Sequence, residues 1–244
     1  MQSEPHQPLG AEGVDDFEDF SNCVIREGQD ILFRAVPQKL IALQRLIDSM
    51  GSTSSPFHSS AAPIGTDTTV YPPPEGSALV DLGRDNVNAG PRYTNVMLAH
   101  RASVPVLDIV RQECEQMEEY FSKVLLWFYL TRPDIDEFNT DKDDYSDGPR
   151  GSAPRCAESG MNLVARWRSE ATDPYLERAK ICSKLLKYPH LEDYAMALRE
   201  FDVKELLGAR HVLFTMRDHY AALAGLGRKY MKQLQDRKPC HESV

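Results

Sequence analysis

The residues with the clearest capacity for chemistry are acidic side chains concentrated between positions 134 and 144. These are Asp134, Asp136, Glu137, Asp141, Asp143 and Asp144. Because carboxylate oxygens are the preferred ligands of Ca²⁺, this run could bind such a cation weakly. It lacks the Gly and Glu positions of an EF-hand loop, so we interpret it as a solvated loop and predict no metal site.

Arrangements typical of catalysis are missing from the sequence. It contains no Gly-rich phosphate loop and no GxSxG elbow, and no Glu has a His three residues later, as helical di-iron sites require. His211 and His219 lie about two helical turns apart without a carboxylate on the same face, which favours structural or surface roles. We therefore predict no catalytic residue and no cofactor, and we expect that the protein is not an enzyme.

The net charge and the cysteines restrict the class of protein. A net charge of −9 argues against nucleic acid as a main partner, since a duplex-binding protein needs a basic face. The five cysteines are scattered without a CxxC pair, as expected for free thiols in a reducing compartment. The sequence opens without a secretory signal, and its longest apolar run, Val124 to Leu130, is far too short for a membrane span. We expect a soluble protein of the cytoplasm, the nucleus or both, with no membrane partner.

The first third of the chain predicts one helix between two flexible segments. Residues 1–13 are interpreted as a disordered leader. Residues 14–50 predict the first helix, because apolar side chains recur there every three or four positions, and Pro37 predicts a kink or a break within it. Residues 51–92 are rich in Ser, Thr, Pro and Gly and predict a long flexible linker.

Residues 93–236 predict three further helices. Their predicted extents are Thr94 to Leu130, Pro174 to the residue before Pro189, and Asp202 to Leu234, with a loop-like region at 133–160 and a possible short helix at 161–170. Asp173 is predicted to cap the third helix. Asp202 and Glu205 have the spacing of a capping box at the start of the fourth. Residues 237–244 lose the helical pattern and predict a C-terminal tail.

These elements predict an all-α fold, an elongated four-helix bundle. No segment alternates with the period of two that marks an amphipathic strand. The apolar stripes are wide enough to cover more than one face of each helix, which indicates assembly with further subunits. Two other classes stay open on the residues alone, a helical scaffold or adaptor and a helical enzyme with an unrecognised site, and the missing catalytic arrangements disfavour the enzyme.

Four segments carry a resemblance to a known family. The first runs from Glu177 to Tyr188, and the second is the sequence Pro189-His190-Leu191-Glu192-Asp193-Tyr194 together with the gap-free stretch from Glu200 to Leu234. The third runs from Pro37 to Leu46, and the fourth is Pro105 to Leu130 followed by Pro133 to Glu137. Together they resemble the 11S (REG-type) proteasome activator family over roughly 130 to 140 residues. A gap-free match across about sixty residues is far more specific than a shared dipeptide.

The resemblance implies both a function and its sites. Members of this family form heptameric rings of four-helix subunits, dock their C-terminal tails between outer-ring (α) subunits of the 20S proteasome, and open its gate without nucleotide. The implied partners are therefore these α subunits and further copies of the same chain in a homo-oligomeric ring. Carried over by position, the activation loop contains Pro133, Ile135, Asp136, Glu137 and Asn139, the linker between helices three and four contains Pro189, His190, Asp193 and Tyr194, and the docking tail contains Glu242, Ser243 and Val244.

One region departs from the family. After Asn139 the family continues almost at once into an apolar third helix, whereas Thr140 to Gly160 is acidic and then rich in Gly and Pro. The first half of the third helix is not recognisable in this stretch. An insertion, a degenerate activator or a wrongly joined stretch of coding sequence would each explain the departure, and we favour the last two. Gate opening is the property that it puts in question.

Overall fold

The computed structural model describes residues 11–58, 60, 66–69, 97–131, 149–170 and 173–236. All the regular secondary structure in these residues is helical. Their bounds are α1 Ala11–Asp30, a π-helical turn Ile31–Ala35, α2 Val36–Ser49, α3 Ser103–Leu130, α4 Pro149–Glu170, α5 Asp173–Lys187 and α6 Glu192–Asp236. α1 and α2 form the first helix of the bundle, α3 the second, α4 with α5 the third, and α6 the fourth. The predicted all-α, four-helix fold is confirmed.

The first helix passes through Pro37 without ending. The π-helical turn ends two residues before this proline, at Ala35, and the amide of Val36 donates to the carbonyl of Ile31, five residues earlier. Proline has no amide proton and its ring crowds the preceding turn, so a widened turn lets the chain accommodate it. The predicted interruption is therefore a local widening between α1 and α2.

The chain divides into two compact units, of which unit 1 combines Met1–Asp48, Arg111–Ser169 and Val212–Val244. Contacts in its described part give the helix directions. Glu27 pairs with Lys123 and Lys39 with Glu113, so the first helix runs antiparallel to α3. α4 is also antiparallel to α3, because Gly160 lies on Phe121 whereas Arg168 reaches back to Glu118. α6 runs parallel to α3, since Tyr220 packs on Phe121 and Tyr230 on Trp127.

The predicted loop at 133–160 is wrong from Pro149 onward, where α4 begins. The missed helix buries small side chains. Ala153, Ala157, Gly160 and Val164 follow one another at helical spacing. The two alanines and Val164 are at most 1% exposed, and Gly160 is also buried. A stripe of small residues gives a weak apolar signal, and Pro154 in the second turn obscures it further. The first half of the third helix, unrecognised in the sequence, is thus present.

Unit 2 combines Ser49–Val110 with Glu170–His211. Its described part has an apolar centre of Cys182, Leu185 and Leu198, with Met97, Ile181, Tyr194 and Ala195 packed around it. The predicted linker also begins as folded chain. Successive turns run from Ser49 to His58, and Phe57 within them is fully buried. The flexible linker predicted over 51–92 is therefore wrong for its first residues, and most of the rest lies outside the described part.

All four predicted helix starts can be compared with the structure. The first helix begins at Ala11 and not at residue 14, so the predicted disordered leader is wrong for residues 11–13. α5 begins at Asp173, one residue before the predicted start at Pro174, and ends at Lys187 before Pro189. α3 begins at Ser103 rather than Thr94, although residues 94–96 lie outside the described part. α6 begins at Glu192, ten residues before the predicted cap. Asp202 and Glu205 are therefore interior helical residues and not a capping box.

Candidate functional site

An aromatic cluster closes one end of unit 1. Trp127 and Phe128 at the end of α3 pack on Tyr230 of α6, with ring centroids 5.4 and 4.9 Å from that of Tyr230. Phe33 from the π-helical turn meets Trp127 edge to face at 6.4 Å. Trp127, Phe128 and Tyr230 are each at most 2% exposed. Offset and edge-to-face aromatic pairs add to the stabilisation from burial, so this end of the unit is firmly packed.

Thr131, the residue after α3, connects the C-terminal end of α3 to α6. Its hydroxyl donates to the carbonyl of Trp127 at 2.8 Å and lies 3.3 Å from the hydroxyl of Tyr230. The Tyr230 hydroxyl in turn donates to the carbonyl of Phe128 at 3.4 Å. These bonds satisfy carbonyls that a helix end leaves without intrahelical partners. They also place the end of α3 beside Tyr230, which lies six residues before the end of α6.

α4 packs along α3 within unit 1. Pro149 is the first residue of α4, and the buried residues Ala153 and Ala157 follow it. Glu158 accepts a hydrogen bond of 2.8 Å from the Tyr129 hydroxyl, close to the end of α3. The end of α3 at Leu130 and the start of α4 at Pro149 are thus neighbouring helix ends.

The sequence-predicted contact elements flank these positions. Pro133, Ile135, Asp136, Glu137 and Asn139 of the predicted activation loop lie outside the described residues, as do Glu242, Ser243 and Val244 of the predicted tail. Their side chains therefore have no described contacts. The structure brings together the helical residues that precede these two segments in the sequence.

Two glycines allow the first helix to approach this end closely. A Cβ atom at Gly28 would lie 2.4 Å from Cβ of Trp127, and one at Gly227 would lie 2.7 Å from the methyl carbons of Leu32. Both distances are well below ordinary carbon contact. Glycine at these positions places α1 directly on α3, and α6 directly on the π-helical turn.

The predicted linker between helices three and four is a tight turn in unit 2. The amide of Leu191 donates to the carbonyl of Tyr188 at 3.1 Å, with Pro189 and His190 at the two central positions. Proline is favoured at the first of these because its fixed φ suits the turn. Asp193 lies in the first turn of α6, where its negative charge interacts favourably with the positive end of the helix dipole.

Aromatic rings connect this turn to the centre of unit 2. Tyr194 stacks on Tyr188 with centroids 6.0 Å apart and an interplanar angle of 21°, and it also packs against the buried cluster of Cys182, Leu185 and Leu198. His190 meets Tyr188 edge to face at 6.5 Å. Pro189, His190 and Asp193 are exposed. Of the four linker residues singled out in the sequence, Tyr194 therefore has a packing role and the other three form a surface.

A polar cluster in unit 2 was not predicted as such. Asp202, Arg178, Thr66 and His100 come together there, and the side chain of Asp202 is only 2% exposed. A signal for this cluster was available in the sequence. Asp202 follows Leu198 by four residues and precedes Leu206 by four, which places a carboxylate on the buried face of a helix. A buried carboxylate needs a cationic partner.

The described residues can be checked for metal sites, membrane spans and activated thiols. In this part of the chain no three His, Cys, Asp or Glu side chains are arranged to hold a metal ion, and none of its helices is long and apolar enough to cross a membrane. Burial raises the pKa of the Cys114 thiol to about 12, and burial also raises the pKa of the Cys156 and Cys182 thiols. A thiol with a raised pKa is a poor nucleophile because its thiolate is scarce.

Comparison with known proteins points to one family. Residues 157–243 match the model of the C-terminal part of proteasome activator PA28. Among curated proteins, the chain is 24% identical to human proteasome activator complex subunit 3 over 143 residues, or 57% of this chain and 54% of that relative. The chain thus spans about half the length of the subunit 3 relatives that it matches. It is 20% identical to bovine (Bos taurus) proteasome activator complex subunit 2 over 215 residues, covering 88% of this chain and 87% of that relative.

A solved structure shares the fold over nearly the whole chain. It is the 11S subunit of the Plasmodium falciparum proteasome, PA28, with a TM-score of 0.72 and 20% sequence identity, covering 96% of this chain and 98% of that one. At this identity the likeness establishes the fold alone.

Proposed function

We propose that this chain, which belongs to the 11S family of proteasome activators, is a non-enzymatic, ring-forming subunit that docks on the 20S proteasome and opens its gate without ATP. The proposed partners are the outer-ring (α) subunits and further copies of this chain in a heptameric ring. The proposed location is the cytoplasm, the nucleus or both. No cofactor takes part, because binding energy directed to one of two gate states is sufficient to shift their populations.

The contact between Thr131 and Tyr230 is the observation that carries the proposal. The predicted activation loop begins at Pro133, two residues after Thr131. The predicted docking tail follows α6, which runs on from Tyr230 to Asp236, roughly 9 Å at 1.5 Å per residue. Because the two hydroxyls are 3.3 Å apart, the helix end that precedes the loop lies beside the part of α6 that precedes the tail. One face of a subunit can therefore present both segments to one partner.

The tail is proposed to bind through its terminal carboxylate and through repetition. A free carboxylate can be captured by backbone amides or a lysine in a partner's pocket. A single short tail binds weakly, because few contacts must offset the cost of ordering it. Several tails on one ring make the later contacts intramolecular, which can raise the affinity by roughly 10² or more.

Tail truncation tests the docking step. Deleting Glu242 to Val244 should leave the oligomer intact in native mass spectrometry and remove its binding to latent 20S proteasome in a pull-down. Masking the carboxylate with a C-terminal tag should weaken the binding sharply, and an N-terminal tag of the same length is the matched control. Undiminished capture of proteasome by the truncated oligomer would show that the tail has no docking role.

A loop variant tests gate opening separately from docking. Asn139→Tyr should abolish stimulation of peptide hydrolysis while leaving proteasome binding at the wild-type level. Equal stimulation by the variant and the wild type would show that the role transferred to Asn139 is wrong. An oligomer that never binds the 20S proteasome would instead favour a helical scaffold or adaptor.

A further inference from the structure

A buried carboxylate organises unit 2. Asp202 lies in α6, and its side chain is 2% exposed. The neighbours one turn away on the same face, Leu198 and Leu206, are also buried. A charge in such surroundings persists only with a compensating charge and satisfied hydrogen bonds.

Arg178 of α5 provides the compensating charge. Its Nε donates to Oδ1 of Asp202 at 2.8 Å, and its Nη2 donates to Oδ2 at 3.3 Å. This is the two-pronged geometry in which a guanidinium matches a carboxylate best. Arg178 is itself only 11% exposed, so the pair is largely withdrawn from solvent.

The same pair holds the segment 66–69. The hydroxyl of Thr66 donates to Oδ2 of Asp202 at 2.7 Å. Two residues later, the hydroxyl of Thr68 accepts from Arg199, which lies one turn before Asp202 in α6, at 3.3 Å. The amide of Thr69 donates to the side chain of Asp67 at 2.8 Å, which closes the segment locally.

The pair also holds the segment 97–100, which leads into α3. Nη1 of Arg178 donates to the carbonyl of Leu98 at 3.2 Å. The Nε2 atom of His100, whose side chain is 3% exposed, lies 3.9 Å from Oδ2 of Asp202. The other ring nitrogen of His100 accepts the amide of Ser103, the first residue of α3, at 3.1 Å. The contact of Nδ1 with the amide of Ser103 orients the ring so that Nε2 faces the carboxylate.

We propose that the Asp202–Arg178 pair is a clamp, which fixes the two chain segments on either side of residues 70–96 to one point of unit 2. The segments are separated by 27 residues of sequence (70 to 96), yet each donates to or accepts from the same ion pair. The clamp makes the positions of these two segments depend on each other. Loss of the carboxylate therefore releases both of them, and loss of one arm releases only its own segment.

Positioning is a better explanation of the pair than stability. Replacing a buried ion pair by apolar residues of similar volume is often neutral or stabilising, because the desolvation of both charges is avoided. An apolar pair would fill the space but could not accept from Thr66 or donate to Leu98. The clamp and the packing of unit 2 can therefore be separated by substitution.

Hydrogen exchange followed by mass spectrometry tests the clamp in the full-length protein. The two informative amides are those of Thr69 and Ser103, one on each side of residues 70–96. In Asp202→Ala both amides should exchange at least about tenfold faster than in the wild type, because both segments lose their anchor. In Thr66→Val only the Thr69 side should accelerate.

Two further variants keep the test decisive. Asp218→Asn, an exposed carboxylate on the same helix paired with Arg217, is the matched control and should leave both amides unchanged. If Asp202→Ala fails to fold, the double variant R178M/D202L should fold and still show fast exchange at both amides. Unchanged exchange in the folded clamp variant would overturn the proposal. Acceleration of only one amide in that variant would overturn it equally, since two independent contacts would then hold the two segments.

Discussion

Each of the two units of this chain is stabilised internally by a different kind of contact. The described core of unit 1 consists of large apolar and aromatic side chains, among them Phe121, Trp127, Tyr220 and Tyr230, each at most 2% exposed. Unit 2 has a smaller apolar centre beside a buried ion pair that also binds two connecting segments. Shape therefore determines the packing of unit 1, whereas charge and hydrogen bonds position the chain in unit 2.

This difference determines which substitutions each unit tolerates. A well-packed apolar core responds to a change in side-chain volume in either direction. A buried polar cluster responds to the loss of one partner far more than to the loss of all of them. The predictions below use this contrast, from the largest expected effect to the smallest.

Truncating the central aromatic residue of unit 1 should have the largest effect. Trp127→Ala should lower the free energy of unfolding by about 3–5 kcal/mol, the usual cost of removing a buried aromatic side chain. Leu126→Ala, at a neighbouring position that is 38% exposed, is the control and should cost much less. Chemical denaturation at one fixed protein concentration measures both values, since assembly would otherwise shift them. Equal losses at the two positions would contradict the shape-determined packing of unit 1.

A matched pair of glycines tests the close approach of the helices. Gly28→Ala should destabilise the protein by about 1–3 kcal/mol, because the new Cβ would lie 2.4 Å from Cβ of Trp127, which cannot move without its helix. Gly225→Ala introduces the same methyl group into open space on α6. It should stabilise the protein by about 0.5–1 kcal/mol through the higher helix propensity of alanine. Effects of the same sign at both positions, in thermal or chemical unfolding, would contradict this account.

Thiol labelling compares local opening in the two units. Cys114 in unit 1 is fully buried with a pKa of about 12, whereas Cys182 in unit 2 is 7% exposed. Under native conditions at pH 8, exposed Cys23 should label first, Cys182 next and Cys114 last, since a buried thiol reacts only after local opening. Peptide mapping of the labelled protein over time gives the order. Labelling of Cys114 ahead of Cys182 would show that unit 1 opens more readily than unit 2.

A half-buried carboxyl in unit 2 should give the smallest effect. Burial raises the pKa of Glu205 from its usual 4.5, Lys204 opposes this and Asp202 adds to the rise. An acid whose folded-state pKa is raised binds protons more readily in the folded chain. Its ionisation therefore costs stability as the pH rises from the unfolded pKa through the folded one, and the full cost is present at pH 7.

Glu205→Gln should accordingly raise the free energy of unfolding at pH 7 by less than about 0.5 kcal/mol, and with it the melting temperature slightly. Near pH 3 it should change neither quantity. Thermal unfolding of both proteins at the two pH values provides the comparison. A stabilisation that is larger at pH 3 than at pH 7 would show that the carboxylate is favoured in the folded state instead.

The contrast between the units also explains what could be predicted from the sequence. The large apolar residues of α3, such as Val106, Val110 and Phe121, recur at clear helical spacing, so the helix and its buried face were predictable. The fourth helix was predicted from the same signal. Its first ten residues were missed, because Asp202 has the residue type and spacing of a cap and was interpreted as one.

Two features depended on information that local patterns do not contain. α4 buries alanine and glycine, and the value of a small residue there comes from the partner helix, as with Gly160 on Phe121. The polar cluster of unit 2 joins Thr66, Leu98, Arg178 and Asp202, which are up to 136 residues apart in sequence. Residue spacing within one helix reveals that Asp202 is buried, but not which distant residues surround it. The loop and tail residues of the proposed docking face were identified only through the family resemblance.

Stimulation of latent 20S proteasome tests the proposed function most directly. The purified wild-type chain should increase hydrolysis of a fluorogenic peptide by the 20S proteasome in the absence of ATP, and the increase should saturate with the concentration of the activator oligomer. Bovine serum albumin at the same mass concentration controls for non-specific effects on the proteasome. A wild-type oligomer that binds the proteasome but leaves peptide hydrolysis at the basal rate would contradict the proposed gate opening.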